Sequence, residues 1–343
     1  MKTEVFSVTS PSDERLESVG KVLRSGGLAA IPTETVYGLA ANALDGDAVK
    51  KIYQAKGRPS DNPLIVHISS FEQWQPLVRQ IPENAKKLTK AFWPGPLTII
   101  LPKSDIIPDQ VSGGLDTVAV RMPSHKIAAA IIEKAGVPLA APSANTSGKP
   151  SPTTANHVVN DLDGKIDVIV DAGECSVGVE STVVSLAVNP PRLLRPGGVT
   201  PEMLESVLGE IEIDDAVFNK LADGQKAASP GMKYKHYAPT KAQVVILKGS
   251  FEKYKEYVEA RRSESIAALC FDDDANKLEN VKTLTYGKQD DSLSQAKRIF
   301  DALREVDTLS VKTVYARYPE TTGVGLAVFN RLVRAAAFNI IEI

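Results

Sequence analysis

Two short stretches constrain what this chain can fold into more than any other feature. The first is Lys56-Gly57-Arg58-Pro59-Ser60-Asp61-Asn62-Pro63-Leu64. The second is Pro142-Ser143-Ala144-Asn145-Thr146-Ser147-Gly148-Lys149-Pro150-Ser151-Pro152. Both are dense in Gly, Pro, Ser and Asn, so both are loops. Each abuts a short apolar run, residues 64–68 and 138–141, that reads as a buried strand. The first loop offers two cations, stiffened by Pro59 and Pro63, and the second offers hydroxyls, amides and Lys149. Arg suits bidentate phosphate contact, Lys a point contact, and Ser and Asn an anion nest. Together they are equipped to hold a polyphosphate. Each also has a plain structural reading. A Lys-x-Arg pair after a helix complements the helix C-terminus, and Ser and Asn after a strand form turns.

The pattern around these loops predicts mixed helices and strands. Ser10 reads as an N-cap with Pro11 at the first helical position and Asp13 at the positive end of the dipole. Leu16, Val19 and Leu23 follow at helical spacing, and Gly26-Gly27 ends that helix. Strands are expected at 28–31, 64–68, 97–101, 117–121, 139–141, 168–170 and 181–186. Helices are expected at 47–54, 83–91, 125–135 and 154–161. Strict βαβ alternation is absent, so the expectation is an α/β domain with a twisted mixed sheet. After residue 242 the pattern is regular: strands at 244–247, 266–271 and 314–317, helices at 254–262, 293–306 and 326–338. That reads as a smaller Rossmann-like α/β domain. With 343 residues the chain exceeds one ordinary core. The expected division is 1–209, an interdomain segment 210–241, and 242–343. The segment around Ser229 to Pro239 carries two Tyr, two Lys and a His, too much chemistry for a bland spacer. It reads as a lid, with Tyr234 over the cavity.

Composition narrows the function. A net charge of −2 argues against a broad basic surface for nucleic acid. No run of eighteen apolar residues is present and the N-terminus lacks the apolar core of a signal peptide; with only two cysteines, a reducing cytoplasm is the expectation. Two cysteines, Cys175 and Cys270, cannot form a Cys-rich zinc site. Nor do the four histidines, His67, His125, His157 and His236, show metal spacing. P-loop, dinucleotide, zincin and nucleophile-elbow signatures are all missing. Asp272-Asp273-Asp274 reads as a solvated loop first and a magnesium site second. Thr33 at a strand end serves as a turn or cap, or as a ligand contact. His67 in its strand is a satisfied core group by default. Arg121, closing an apolar strand, is surface trim or a carboxylate clamp. Ser181 and Arg195 carry no signal alone.

Taken together, these residues resemble the YrdC-like threonylcarbamoyl-AMP synthases, in the longer form with an additional C-terminal domain. The resemblance rests on residues 32–39, 56–64, 118–123, 141–152, 180–184 and 194–198, with the 229–239 segment similar to the interdomain stretch of that family. It implies a twisted mixed sheet around a concave cationic cavity. It implies a nucleotidyltransferase that condenses L-threonine, bicarbonate and ATP into threonylcarbamoyl-adenylate and pyrophosphate. The product would serve threonylcarbamoyladenosine formation beside the anticodon of ANN-decoding tRNAs. Lys56, Arg58, Ser143 and Asn145 would be the catalytic set. ATP would meet these four together with Asn62, Thr117, Ser151, Arg195 and Tyr234. L-threonine would meet Thr33, His67, Arg121, Ala141 and Ser181. Magnesium would arrive with the ATP phosphates rather than on protein ligands. Partners would be downstream threonylcarbamoyl-transfer proteins, with room for a weak direct contact with tRNA. The competing reading is a double-stranded RNA- or tRNA-binding module without adenylation chemistry, its cavity a backbone cradle. A carbamoyl-adenylating domain of hydrogenase maturation is a nearer rival, but such proteins carry Cys-rich zinc fingers. A plain regulatory role is a third alternative.

Overall fold

The computed structural model describes residues 2–220 and 236–343. Sixteen strands are present among them: β1 Glu4–Ser7, β2 Ala29–Ile31, β3 Gly38–Asn42, β4 Ile65–His67, β5 Leu97–Pro102, β6 Thr117–Arg121, β7 Leu139–Ala140, β8 Val168–Asp171, β9 Thr182–Ser185, β10 Arg192–Arg195, β11 Glu212–Ile213, β12 Gln243–Lys248, β13 Ile266–Cys270, β14 Lys282–Thr285, β15 Thr313–Arg317 and β16 Ile340–Glu342. The first eleven form one sheet in the order β1-β8-β2-β3-β7-β4-β6-β5-β9-β10-β11. Its pairing is mixed: β4 and β6 run parallel, for example, while β5 and β6 run antiparallel. The last five form a wholly parallel sheet, β14-β13-β15-β12-β16. The α/β reading with a mixed sheet and a smaller parallel one is therefore correct.

Side-chain alternation explains the layers. In β12, Val244 and Ile246 pack with Phe300, Leu303, Leu332 and Val333 from helices Ser292–Glu305 and Gly325–Ala335. Val245 and Leu247 point the other way, toward Tyr254 and Val258 of helix Phe251–Glu259. A parallel strand covered on both faces is apolar at successive positions, as this one is. In the large sheet, Ala29, Ile31, Ala40, Val168 and Val170 pack against Leu16, Val19 and Leu23 of helix Arg15–Arg24 and Ile131 and Ile132 of helix Lys126–Ala135.

The two sheets share a core. Val36, Val179, Val217 and Tyr237 belong to the same buried cluster as Val244, Phe300 and Leu332. Ion pairs reinforce the junction: Arg304 with Asp161 at 2.9 Å, and Arg331 with Glu180 at 2.8 Å. Backbone approaches backbone there too. Gly178 has φ +85°, and a Cβ on it would overlap the main chain of Ala296 and Lys297.

Several local expectations are corrected. Ser10 is not the N-cap; the helix starts at Arg15. Asp13 instead accepts from the Arg15 amide at 2.9 Å and pairs with its guanidinium at 2.7 Å, closing a turn before the helix. Asp272-Asp273-Asp274 is not a solvated loop but the start of a short helix, Asp272–Ala275. Asp272 pairs with Arg298, and buried Asp274 pairs with Arg317 at 3.1 Å. β1, β3, β10, β11, β14, β16 and helix Pro201–Leu208 lie outside the expected elements, the helix despite a Thr200 side-chain cap and Pro201 at its start. The two cysteines are free, buried and in different sheets' surroundings, as expected. Among the described residues no helix is long and apolar enough to cross a membrane.

Gly178→Ala is expected to destabilise the protein by about 2 kcal/mol or more, since a left-handed backbone and a close main-chain contact are both violated. Urea denaturation followed by circular dichroism measures it.

Candidate functional site

The two sequence loops come together through one ammonium group. Lys56 is the last residue of helix Gly46–Lys56, and Gly57 at φ +63° turns the chain out of it. The Lys56 side chain is 1% exposed. Its Nζ donates to Ser143 O and Asn145 O, each at 2.5 Å, and to Asn145 Oδ1 at 3.3 Å. Its own carbonyl accepts from the Ser147 amide at 2.9 Å. All three ammonium protons are thus engaged inside the protein. Burial first, then the Arg58 charge, push its pKa well below the usual lysine range. Lys56 organises the Ser143–Asn145 turn rather than lining the cavity. Asn145 locks that turn further: its Nδ2 donates to Thr146 O and Lys149 O, and its Oδ1 accepts from Ser143 Oγ at 2.6 Å.

A recess of about 550 Å³, including its open mouth, lies between these loops. Arg58, Ser143, Glu180 and Arg195 line it, as do Thr33, Thr35, His67, Ala141, Arg121 and Ser181; Arg58 touches Pro63 just before β4, whereas Arg121 pairs level with His67 at the other end of that strand. Arg58 has spare donors. Its Nη2 makes one long bond to Pro63 O at 3.3 Å, and its Nε has no hydrogen-bond partner among the described residues. Asn62 is 1% exposed, and neither of its side-chain polar atoms is hydrogen-bonded among the described residues. An unsatisfied buried amide is costly, so such a group marks a place prepared for a ligand. Arg195 donates to Ser181 O at 3.0 Å and Ser181 Oγ at 3.2 Å. Burial lowers both Arg58 and Arg195 to about 10, which leaves them charged near neutrality.

At the other end Arg121 closes β6. Its guanidinium meets Glu34 at 2.6 Å, Thr35 Oγ1 at 2.8 Å and Gly95 O at 3.2 Å. Burial raises the Glu34 carboxyl, but the Arg121 charge and hydrogen bond outweigh it, and the net shift is downward. Thr33 adopts the turn role: its Oγ1 donates to Val36 O at 2.6 Å and receives the Val36 amide at 3.2 Å. His67 is held down to about 3, first by burial and then by Arg121, so it is neutral. Its Nδ1 lies 3.2 Å from Ile65 O. A carbonyl only accepts, so Nδ1 carries the proton and Nε2 is left as an acceptor.

Not every expected residue lines the recess. Lys56 and Asn145 lie behind its wall, and Ser151 Oγ donates to Glu180 Oε1 at 2.5 Å. Thr117 stands at the opposite end of β6 from Arg121, roughly 13 Å along the strand. β4 and β6 pair in parallel with Ile65 beside Ala119, so the same register brings Thr117 level with Pro63, next to the first loop. Tyr234 lies outside the described residues. Sequence reasoning missed Thr35, Glu180, His236 and Tyr237, all of which line the recess. The last two belong to the same Lys- and Tyr-rich segment as Tyr234, so the signal was there but one residue choice was too narrow. Among the described residues no cluster of three or more His, Cys, Asp or Glu could hold a metal.

With this geometry in hand, the comparisons are decisive. A family profile described as telomere recombination, covering Sua5, YciO and YrdC, matches residues 21–197. A second, described as the C-terminal domain of threonylcarbamoyl-AMP synthase, matches residues 199–337. The chain belongs to the Sua5/YciO/YrdC family. Within it the long form applies, and the resemblance carried by the loop motifs is borne out. Threonylcarbamoyl-AMP synthase of Pyrococcus abyssi is 51% identical over 327 residues, 94% of each chain. The Bacillus subtilis enzyme of the same name is 47% identical over 342 residues, 99% of this chain and 98% of that one. A crystal structure of Pyrococcus abyssi Sua5 complexed with L-threonine matches with a TM-score of 0.91 and 47% identity, over 99% of this chain and all of that one. The fold is that of this family.

The buried histidines give a pH prediction. His67 and His236 are both lowered to about 3 by burial, whereas an unfolded histidine titrates near ~6.5. Between those values the unfolded chain binds more protons, so stability falls as pH drops through that window. Glu180, held at about 2 despite its burial because Arg331 and Arg195 outweigh it, adds a further loss below the ordinary carboxylate range. The urea midpoint should therefore fall between about pH 7.5 and 5, and fall less in a His67→Gln, His236→Gln double variant. A midpoint that stays level or rises would contradict the assignment.

Proposed function

We propose that this protein is an L-threonylcarbamoyladenylate synthase, a nucleotidyltransferase that condenses L-threonine, bicarbonate and ATP and releases pyrophosphate. The observation that carries the reading is a single recess with two chemically distinct ends. One has the cationic donors Arg58 and Arg195 beside the Ser143 turn, with the buried Asn62 amide in the adjoining first loop. The other has a carboxylate-binding Arg121 with Thr35, Ser181 and a neutral His67. A nucleoside triphosphate and an amino acid need this pairing, and the α-phosphorus and the amino group would meet between the two ends.

In this reading Arg121 receives the threonine carboxylate while keeping Glu34 and Thr35 as neighbours. His67 Nε2 accepts a hydrogen bond from the substrate hydroxyl or amine, and Ser181 supports the same group. A pocket that pairs a hydroxyl rejects analogues lacking it strongly. The neutral threonine amine attacks the carbon of bicarbonate, whose hydroxyl leaves as water with the amine's proton, or of carbon dioxide, in which case the proton passes to solvent; either route gives the carbamate. A carbamate oxygen then attacks the α-phosphorus, forming the O–P bond as the bond to pyrophosphate breaks. Arg58 and Arg195 stabilise charge on the phosphates, with the Ser143 turn and Ser151 placing them. Asn62 and Thr117, beside the first loop, suit the nucleoside end. The chemistry needs positioning and charge stabilisation more than a strong base. A magnesium ion fits as part of the nucleotide: Glu180 is the carboxylate on the recess wall, and both of its oxygens already accept from Ser151 and Arg331. Bound through phosphate oxygens, the ion would share their negative charge.

The product would feed threonylcarbamoyladenosine formation beside the anticodon of ANN-decoding tRNAs, through separate transfer proteins in the cytoplasm. The test is pyrophosphate release from ATP with bicarbonate and magnesium, comparing L-threonine, L-serine and no amino acid. Release should require L-threonine and bicarbonate. Arg58→Ala should lower kcat/KM by about a hundredfold or more with the fold retained. Indifference to threonine would instead favour the RNA-cradle reading.

A further inference from the structure

One side chain from the parallel-sheet unit reaches into the wall of the recess. Arg331, on helix Gly325–Ala335, is 0% exposed. Its Nε donates to Glu180 Oε2 at 2.8 Å, its Nη2 to Glu180 O at 3.3 Å, and its Nη1 to Pro196 O at 2.7 Å and Asn330 Oδ1 at 3.2 Å. The other Glu180 oxygen takes the Ser151 hydroxyl at 2.5 Å. Glu180 lines the recess next to Ser181, and Pro196 follows Arg195. A single planar fork therefore fixes three separate pieces of wall: the loop that ends at Ser151, the Glu180-Ser181 turn, and the end of β10. A second tie falls on the same loop. Arg304 donates to Pro150 O at 2.6 Å and to Asp161 Oδ2 at 2.9 Å. Asp161 also holds Lys149 at 3.0 Å and the Thr146 amide at 3.2 Å.

A buried ion pair is a weak device for stability, because an apolar pair of similar volume packs as well without the desolvation cost. Its use lies in directionality: five N–H groups in a rigid plane hold acceptors at set positions. Outside its own helix, the Arg331 acceptors are Glu180, which lines the recess, and Pro196, the residue next to Arg195 of that lining.

We propose that Arg331 is a positioning residue of the active site: by holding Glu180 it sets Ser151 and its loop for the nucleotide, so the second unit completes the site made by the first. The proposal rests on the ATP reading above. Lysine cannot reproduce the fork, so Arg331→Lys retains the charge and loses the geometry. The experiment compares Arg331→Lys and Glu180→Gln with the unaltered full chain in two readouts. Steady-state pyrophosphate release should show KM for ATP raised roughly tenfold or more and KM for L-threonine within about twofold. Amide hydrogen exchange, read without substrates, should be faster in the 143–151 loop of both variants. The double variant should be no worse than the worse single one, because both changes cut the same link.

A lower melting temperature with both KM values and loop exchange unchanged would overturn the proposal, since a purely structural role predicts that result. So would additive effects in the double variant. If Arg331→Lys does not fold, Glu180→Gln decides by the same two readouts. If the unaltered enzyme shows no threonine-dependent release, the ATP reading fails, and the exchange comparison still decides whether Arg331 holds the loop.

Discussion

The site depends on the buried Lys56 ammonium. Two loops that are far apart in sequence both leave the edge of the central strands, and neither has regular structure to hold it. Lys56 joins them by donating to Ser143 O, Asn145 O and Asn145 Oδ1 from the end of a helix. A buried cation is tolerated only when its protons are satisfied, and here two backbone carbonyls and the Asn145 side-chain oxygen satisfy them. With the turn fixed, Ser143 faces the recess and Arg58 is left with free hydrogen-bonding capacity. The cation that looks most available in the sequence is thus the scaffold, and its neighbour is the candidate for substrate contact.

The rest of the recess extends this logic of fixed charge. Apart from Arg58, the charged groups lining it are tied to partners that set their direction: Arg121 to Glu34, Arg195 to the Ser181 turn, Glu180 to Arg331 and Ser151. Groups tied in this way need little reorganisation when charge develops on a substrate, which is where electrostatic catalysis gains most. The neutral histidines fit the same picture. His67 and His236 sit beside guanidiniums, and adding protons to them would place like charges together.

Much of this was legible in the sequence, and the failures have physical reasons. The strands at β4, β5 and β6 followed from apolar runs, and the loops from Pro and Gly. β3, Gly-Leu-Ala-Ala-Asn, escaped because Gly and Ala favour strands poorly; it is a strand because β2 and β7 flank it. Ser10 looked like a cap, but the Asp13–Arg15 pair made a competing turn. Asp274 looked solvated because its partner, Arg317, lies more than forty residues on. The role of Lys56 was out of reach for the same reason: its acceptors are 87 and 89 residues away. The Arg331–Glu180 link carries no local signal, since it joins a helix of the parallel-sheet unit to a loop of the large-sheet unit 151 residues away. Residue types revealed the chemistry of the site, and long-range pairing determined which residue does what.

The central claim is that the two ends of one recess hold a nucleoside triphosphate and L-threonine side by side. The most direct measurement is a crystal structure of the full chain with L-threonine and a non-hydrolysable ATP analogue. The account predicts the triphosphate against Arg58, Ser143 and Arg195, and the amino-acid carboxylate on Arg121 with the amine turned toward the α-phosphorus. A nucleotide bound outside the recess, or a threonine carboxylate away from Arg121, would contradict it.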